Sequence, residues 1–150
     1  MLNRLHVIRG QKGKIVKIVK LDHIGIKIFS IDEGKKFWSD ILGLQFVKSF
    51  HVKNFMANLG LFSAGESKIE LCEPASPESI VAKDIEREGP GLHHVSFIVE
   101  DIDEAFMELK EKNIPLQWEK ILIGVGGARV IFINPDATQG VIVELAEKKL

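Results

Sequence analysis

Two pairs of residues in this sequence combine side chains that can bind a metal ion and move a proton. His23 is followed by Glu70 after 47 positions, and His94 is followed by Glu144 after 50 positions. Imidazole nitrogens and carboxylate oxygens are ligands of divalent transition metals such as cobalt, nickel, zinc, manganese and iron. A carboxylate beside such a cation can also accept a proton from a substrate. The two pairs therefore indicate a metal site with acid–base chemistry.

An internal repeat relates the two pairs, because the stretch KLDHIGIKIFSIDEGKKF returns in outline as GLHHVSFIVEDIDEAF. His23 corresponds to His94, and the triplet at 31–33 corresponds to the triplet at 102–104, each 71 positions later. A single His or Glu on a strand is usually a surface or hydrogen-bonded residue. If the repeats are related by an approximate two-fold axis, however, all four residues meet across it, and this recurrence favours a metal site.

The strand pattern points the carboxylates in a suitable direction. Glu70 lies between Ile69 and Leu71, and Glu144 lies between two aliphatic neighbours in the same way. Alternate residues of a strand face opposite sides, so each carboxylate points away from the aliphatic face that meets the helices. A buried carboxylate without a partner is costly, and a cation would be such a partner.

Each repeat has the pattern of a βαβββ module, which predicts an α+β fold with eight strands. In the first module, Ser30 and Glu33 predict a helix start, and the helix is expected to bury Phe37, Trp38, Ile41 and Leu42. The elements predicted for the first module are a strand at 21–29, a helix at about 31–42, and extended segments at 44–48, 55–62 and 68–73. The elements predicted for the second are a strand from 93, a helix capped by Asp101 and Glu104, and extended segments at 117–122, 129–134 and 140–145.

These patterns define one domain over residues 20–147, made of modules 20–74 and 92–147. The linker at 75–91 carries a short helix, which Ser76 and Pro77 predict to begin there. Residues 1–19 form a basic extension, and both a transit peptide and an alternating strand at 14–20 are compatible with its sequence.

Composition excludes several classes of protein. The chain has 150 residues, of which 45% are hydrophobic, and a net charge of −1, which gives no global field to attract nucleic acid. No apolar run approaches the roughly 20 residues of a membrane helix. The single cysteine, Cys72, excludes an internal disulfide, so we expect a reducing compartment and a cytoplasmic location.

Other polar residues receive a structural interpretation or an open one. His93 is expected to point to the face opposite His94, while His6 and His51 are expected at the surface. Cys72 shares the face of Glu70 and is expected to be a small buried residue. In the loop GVGGAR, backbone N–H groups at Gly126 and Gly127 would approach an anionic oxygen and Arg129 would clamp a carboxylate, although a plain mobile turn fits equally well.

Three stretches, GLHHVSFIVEDID, IGVGGARVIFINP and GVIVELAE, together resemble the vicinal-oxygen-chelate (glyoxalase/bleomycin-resistance/dioxygenase) superfamily. Within it, the chain is most similar to the methylmalonyl-CoA epimerase family, and the linker SPESIVAKDIEREGPG adds to that similarity. The resemblance covers about residues 20–147. It implies a partly open barrel around one divalent metal ion per chain, and a homodimer.

The resemblance also implies roles for particular residues. His23, Glu70, His94 and Glu144 are the implied metal ligands, and Glu144 is also the implied catalytic base. The implied substrate is an acyl-CoA, whose R and S methylmalonyl forms are interconverted through an enolate. A cation held by a carboxylate and a thioester carbonyl of the substrate would stabilise that enolate.

The sequence departs from the family at one position. Some members have a second acid, proposed as an opposing base, on the strand after the first helix, but no acid occurs here between Val47 and Ala64. His51, Lys53 and Asn54 are the polar candidates there. A glyoxalase I-type isomerase, an extradiol dioxygenase and a metal-free binding or resistance protein are the alternatives, although four ligands count against the last two.

Overall fold

The computed structural model describes residues 16–148, and the basic residues 1–15 and His6 among them lie outside this range. The strands are β1 (Ile18–Lys27), β2 (Gln45–Val52), β3 (Ala57–Ala64), β4 (Ser67–Pro74), β5 (Gly91–Val99), β6 (Leu122–Ile123), β7 (Arg129–Ile133) and β8 (Ile142–Glu147). The helices are α1 (Ile31–Trp38), α2 (Ile80–Glu88), α3 (Ile102–Glu111) and α4 (Pro135–Thr138).

All eight strands form one mixed sheet in the order β2-β3-β4-β1-β5-β8-β7-β6. The strands β1 and β5 pair antiparallel at the centre, and each pairs on its other side with the parallel last strand of its own module. The order is therefore the same in both modules when read outward from the centre. The sheet curls into a half-barrel, which confirms the predicted α+β fold of two paired modules.

Two apolar clusters attach the helices α1 and α3 to the convex face of the sheet. In the first module Ile31 of α1 packs with Phe62 and Leu71, and the last two are fully buried. In the second, Ile102 of α3 packs with residues that include Ile131. Burying a side chain of this size is worth about 1.5–3 kcal/mol, so these faces hold the helices to the sheet and leave the concave face for other residues.

The linker helix α2 lies over the concave face instead. Val81 and Ile85 are buried against Leu59 of β3 and Cys72 of β4. The helix begins three residues later than expected, because the N-cap is Ser79, whose hydroxyl accepts a hydrogen bond from the backbone N–H of Ala82 at 3.0 Å.

Helix α1 is shorter and more exposed than its sequence predicts. It ends at Trp38, and the following turn is closed by Ser39, whose hydroxyl donates to the carbonyl of Leu44. The side chains of Ile41 and Leu42 are 72% and 51% exposed, and Phe37 is also exposed. The expectation that these three are buried is wrong: Ile41 and Leu42 lie beyond the end of α1, and Phe37 belongs to α1 but remains half exposed.

The segment at 117–122 also differs from its prediction. It is not a full strand: its last residue, Leu122, begins the two-residue strand β6, and the isolated bridge from Leu116 to Ile133 lies just before it. Among the helices of residues 16–148, none has the length and apolar character needed to cross a membrane.

Candidate metal and active site

His23, Glu70, His94 and Glu144 meet on the concave face of the sheet, and all four are buried. The Nε2 atoms of His23 and His94 are 2.9 Å apart. Glu70 Oε1 lies 3.6 Å from His23 Nε2 and 3.7 Å from His94 Nε2, and Glu144 Oε1 lies 3.8 Å from His23 Nε2. The repeat in the sequence thus becomes one cluster of four facing side chains, to which both modules contribute.

The strand register explains why the four side chains converge. Residues paired across neighbouring strands form two rows. One row consists of Glu70, Gly25 and His94, and the other consists of His23, Ser96 and Glu144. The middle position of each row is small. A Cβ atom on Gly25 would lie 2.1 Å from Cε1 of His94, so the imidazole occupies the space that a larger residue would fill. Ser96 is fully buried, and its hydroxyl donates to Glu144 Oε1 at 2.6 Å.

Two β-bulges place a further side chain beside each histidine. On β1, Leu21 pairs with Phe97 and His23 with the next residue, Ser96, so the pairing skips Asp22. On β5, His94 pairs with Gly25 and Leu92 with Ile26, so the pairing skips His93. A bulged residue does not follow the alternation of a regular strand. The expectation that His93 points away from His94 is therefore wrong: its Nδ1 lies 2.9 Å from Nδ1 of His94.

Asp22 is the partner of His23. Its Oδ2 lies 2.8 Å from His23 Nδ1, while its Oδ1 accepts from Lys148 at 2.5 Å and from Lys68 at 3.3 Å. Burial alone would raise the pKa of Asp22, but the hydrogen bonds from His23 and Lys148 hold it well below its ordinary value. Burial alone would lower the pKa of His23, but Asp22 and the charge of Glu70 raise it.

The second module has a different electrostatic environment. Burial and the neighbouring His23 lower the pKa of His94 well below its ordinary value. Burial raises the pKa of Glu144 to about 7, and the charge of Glu70 acts in the same direction although His23 opposes it. A carboxylate with a pKa near neutral pH is suited to accept and return a proton.

A cavity of about 360 Å³ opens onto this cluster. Its walls are mainly apolar, and the aromatic rings of Phe55, Trp118 and Phe132 pack against one another on one side. Ile80 and Val81 of helix α2 line another side. Because the polar groups are concentrated at the cluster, a ligand in this cavity would place its reactive polar atoms there and its apolar part against the rings.

The side chains fit a divalent cation. A carboxylate only accepts hydrogen bonds, so Asp22 assigns the proton of neutral His23 to Nδ1 and leaves a lone pair on Nε2. That lone pair faces another ring nitrogen at 2.9 Å and two carboxylates, an arrangement that needs a proton or a cation at its centre. Ligand atoms of His23, His94 and Glu144 all lie within 4.8 Å of one another. Such nitrogen and oxygen donors suit a first-row divalent metal.

The model of the Glyoxalase/Bleomycin resistance protein/Dioxygenase superfamily matches residues 22–132. The chain belongs to this superfamily. It is 38% identical to YqjC, an uncharacterized protein of Bacillus subtilis, over 87% of this chain and 93% of that protein. It is 29% identical to the human mitochondrial methylmalonyl-CoA epimerase, over 90% of this chain and 77% of the human protein.

A solved structure shows the same architecture. The crystal structure of methylmalonyl-CoA epimerase from Mycobacterium tuberculosis matches this chain with a TM-score of 0.85 and 26% sequence identity, over 91% of this chain and 93% of that one. The resemblance of the sequence to this superfamily, with methylmalonyl-CoA epimerases among its relatives, is thereby confirmed.

The glycine-rich loop of this superfamily member contributes less to the cavity than its sequence suggests. Gly126 lines the cavity, with φ +64°, whereas Gly127 and Arg129 are not among the residues that line it. The guanidinium of Arg129 instead binds both carboxylate oxygens of Asp103 at 2.6 and 2.7 Å and Glu147 at 3.3 Å. The structure therefore assigns Arg129 to joining β7, β8 and α3 and does not bring it to a bound carboxylate.

The candidates for an opposing base also lie elsewhere. His51 is exposed and hydrogen-bonded to Asn58, and Lys53 and Asn54 are exposed as well. The stretch between Val47 and Ala64 nevertheless supplies the cavity with one ionisable group, Lys48 of β2. Sequence reasoning missed Lys48 because the bulge between positions 46 and 48 changes which residues of β2 face inward.

Cys72 has the position that its sequence predicts. It is buried, lines the cavity on the face of Glu70, and its thiol donates to Glu70 Oε1 at 3.5 Å. Burial raises its pKa well above the ordinary value, so the thiol is protonated and acts as a neutral hydrogen-bond donor.

Proposed function

We propose that this chain is a metal-dependent epimerase that interconverts the R and S forms of methylmalonyl-CoA or a closely similar 2-methylmalonyl thioester. The observation that carries the proposal is the buried cluster in which His23, Glu70, His94 and Glu144 face one another at 2.9–3.8 Å. The epimerase relatives support the reaction, since the human protein with this name is 29% identical to this chain and the Mycobacterium tuberculosis protein has the same fold at 26% identity.

In this proposal the four residues hold one divalent ion of cobalt, nickel, manganese, zinc or iron per chain. Such a cation supplies positive charge that stabilises the oxygen of a substrate when a C–H beside its carbonyl loses a proton. Asp22 orients His23 through Nδ1 and keeps Nε2 available as a donor atom.

Glu144 is the proposed base that removes this proton. Without a cation, burial raises its pKa to about 7, and a bound cation would favour the carboxylate form, which is the form that accepts the proton. Ser96 donates to Oε1 at 2.6 Å and fixes the orientation of the carboxylate.

Epimerisation also needs a proton delivered to the opposite face of the enolate, and Lys48 is the proposed donor. Among the cavity-lining residues that the structure describes on β2 and β3, Lys48 is the ionisable one. It pairs with Leu61, which pairs with Glu70, so Lys48 lies two strands beyond Glu70, whereas Glu144 lies on the other half of the sheet. Its ammonium would protonate the enolate, and its amine would accept the proton in the reverse direction.

Solvent-deuterium exchange tests the proposed reaction. Metal-loaded protein is incubated with methylmalonyl-CoA in deuterated water, and mass spectrometry is expected to show one added deuterium, accompanied by conversion of one epimer to the other. The hemithioacetal of glutathione and methylglyoxal serves as the comparison substrate, because a glyoxalase I-type isomerase would act on it instead. Isomerisation of that compound without deuterium in methylmalonyl-CoA would reject the epimerase.

Replacement of Lys48 by Met is expected to separate the two proton transfers. Epimerisation should fall by about 10²- to 10⁴-fold, because a positioned acid is lost, while the proton that Glu144 removes still exchanges in one epimer. Lys53→Met is the matched control, since both lysines are exposed in the same stretch but Lys53 does not line the cavity. Wild-type epimerisation in Lys48→Met would exclude Lys48 as the donor.

A homodimer and a cytoplasmic location remain predictions from the resemblance and from the single cysteine. The domain boundaries at 20 and 147 also remain a prediction from the sequence, and β1 begins two residues before the first of them, at Ile18.

A further inference from the structure

The second ring nitrogen of His94 begins a chain of hydrogen bonds that leaves the central strands. Nδ1 of His94 lies 2.9 Å from Nδ1 of His93, and Nε2 of His93 lies 3.0 Å from Oδ2 of Asp84. Asp84 belongs to the linker helix α2 and is buried, with 6% of its surface exposed. A buried carboxylate thus reaches His94 through one intervening imidazole.

These hydrogen bonds determine which nitrogen of each histidine carries the proton. The carboxylate of Asp84 only accepts, so neutral His93 carries its proton on Nε2 and has a lone pair on Nδ1. The proton between the two Nδ1 atoms then belongs to His94, which leaves the lone pair of His94 on Nε2. That atom is the one that faces His23 Nε2 and Glu70. The hydrogen bonds therefore select the tautomer in which His94 can act as a ligand from the cavity side.

The repeat shows why the helix is needed. His93 occupies the position of Asp22 in the other module, 71 residues later, and both are bulged residues beside a histidine. In the first module the bulged residue is itself a carboxylate and contacts His23 directly at 2.8 Å. In the second module it is an imidazole, and Asp84 of α2 supplies the carboxylate that the strand lacks.

Helix α2 is also a wall of the cavity, through Ile80 and Val81. The other carboxylate oxygen of Asp84, Oδ1, accepts a hydrogen bond at 2.7 Å from Arg87 in the last turn of the same helix. The same helix therefore contacts the cavity through apolar side chains and the buried cluster through Asp84.

We propose that Asp84 and His93 are positioning residues that hold His94 as an Nε2 metal ligand, so that the linker helix α2 is a working part of the metal centre. This inference rests on the proposed metal site and not on the proposed reaction. Outer partners of metal-binding histidines fix ring orientation and raise ligand basicity, and their loss typically lowers metal affinity by about 10- to 100-fold.

The test measures the dissociation constant for Co²⁺ and Zn²⁺ by competition with a chromophoric chelator. Asp84→Ala is expected to weaken binding by about 10- to 100-fold. Arg87→Ala is the matched control on the same helix, because it removes the other contact of Asp84 and leaves the bond to His93, and its affinity should stay near that of the wild-type protein. His93→Leu breaks the same link from β5 and should weaken binding to the same extent, so the test does not depend on one variant folding.

A rescue distinguishes positioning from a general structural role. The double variant Asp84→Ala, His93→Asp gives the second module the carboxylate arrangement that Asp22 has in the first. It is expected to recover most of the lost affinity and the visible absorption spectrum of the Co²⁺-loaded wild-type protein. Wild-type affinity in Asp84→Ala, or an equal loss in Arg87→Ala, would overturn the inference. A wild-type chain that binds neither cation would instead reject the metal site itself.

Discussion

Glu70 and Glu144 occupy equivalent places in the repeat but have different surroundings. Glu144 accepts from the Ser96 hydroxyl, and burial raises its pKa to about 7, whereas Glu70 accepts from the thiol of Cys72. The position of Ser96 is taken by Gly25 in the first module, so the first module has no hydroxyl there. The two carboxylates are therefore expected to differ in function.

Substitution by Gln should separate them. Glu70→Gln keeps an oxygen that can ligate, so much of the metal binding and a substantial fraction of the activity should remain. Glu144→Gln also keeps an oxygen but cannot accept a proton, so exchange of the substrate's α-proton should fall by about 10²- to 10⁴-fold. Mass spectrometry of deuterium uptake, at equal metal occupancy, measures the difference. Equal exchange rates in both variants would mean that Glu144 is a ligand only.

Gly25 has no side chain, and this leaves the space against β1 that the ring of His94 occupies. An added Cβ would lie 2.1 Å from Cε1 of His94, so Gly25→Ala must displace this ring and should lower metal occupancy, measured by elemental analysis. Gly34→Ala is the control, because its Cβ would lie 2.6 Å from Cδ1 of Leu71, in the core below α1. That variant is expected to change stability and keep its metal. Full occupancy in Gly25→Ala would contradict the assigned position of His94.

The sequence was informative about the four central residues and uninformative about their partners. The repeat identifies His23 and His94 because it returns the same residue type after 71 positions, and a glutamate follows each of them at a similar spacing, 47 and 50 positions. Asp22 and His93 could not be placed in the same way, since each lies in a bulge and the alternation of a regular strand assigns it to the wrong face. A bulge depends on pairing between distant strands, which no local pattern reveals.

At the level of secondary structure, helix α2 is attached to β1 by a buried charge. Lys27 is 2% exposed and donates to Glu88 Oε2 at 2.5 Å, while Glu88 is half exposed and also accepts from Arg87. Loss of either partner therefore has unequal consequences. A buried ammonium without its carboxylate is costly, whereas a half-exposed carboxylate with another partner is not.

Glu88→Ala should lower the free energy of unfolding by about 1–3 kcal/mol, a range reduced for the exposure of Glu88. Lys27→Met removes the buried charge and keeps its volume, so its effect should stay within about 1 kcal/mol. Urea unfolding of the metal-free proteins measures both. The decisive result is which variant has the lower free energy of unfolding. If Glu88→Ala is more stable than Lys27→Met, the ion pair does not hold the helix.

Elements with a periodic pattern and a cap were predictable, and those decided by tertiary contacts were not. Asp101 caps α3 through the backbone N–H of Glu104 at 2.8 Å, as the sequence predicts. The sequence predicts that α2 begins after Ser76, but Ser79 is the N-cap, because Val81 and Ile85 must face β3 and β4. Ser76 followed by Pro77 is the local start signal, and packing against the sheet places the start at Ser79 instead.

For the whole molecule, the pairing of β1 with β5 is the seam at which the modules meet. The proposed ligands lie on both sides of this seam, two from each module, on β1, β4, β5 and β8. Without a cation the cluster contains facing ring nitrogens and two buried carboxylates, whose mutual repulsion and lost hydration oppose folding. A bound cation would remove that cost and connect the modules.

Removal of the metal should therefore lower the thermal stability of the entire domain. At a free metal concentration 100 times the dissociation constant, binding contributes about 2.7 kcal/mol, which corresponds to roughly 5–10 °C in Tm for a chain of this size. Differential scanning calorimetry of metal-loaded and chelator-treated protein measures the shift. The double variant His23→Ala, His94→Ala is the control: it should contain no stoichiometric metal by elemental analysis, and its Tm should be the same with and without chelator. If this variant keeps one metal ion per chain and the wild-type shift in Tm, the cation is bound elsewhere and the seam between the modules is held by the strands alone.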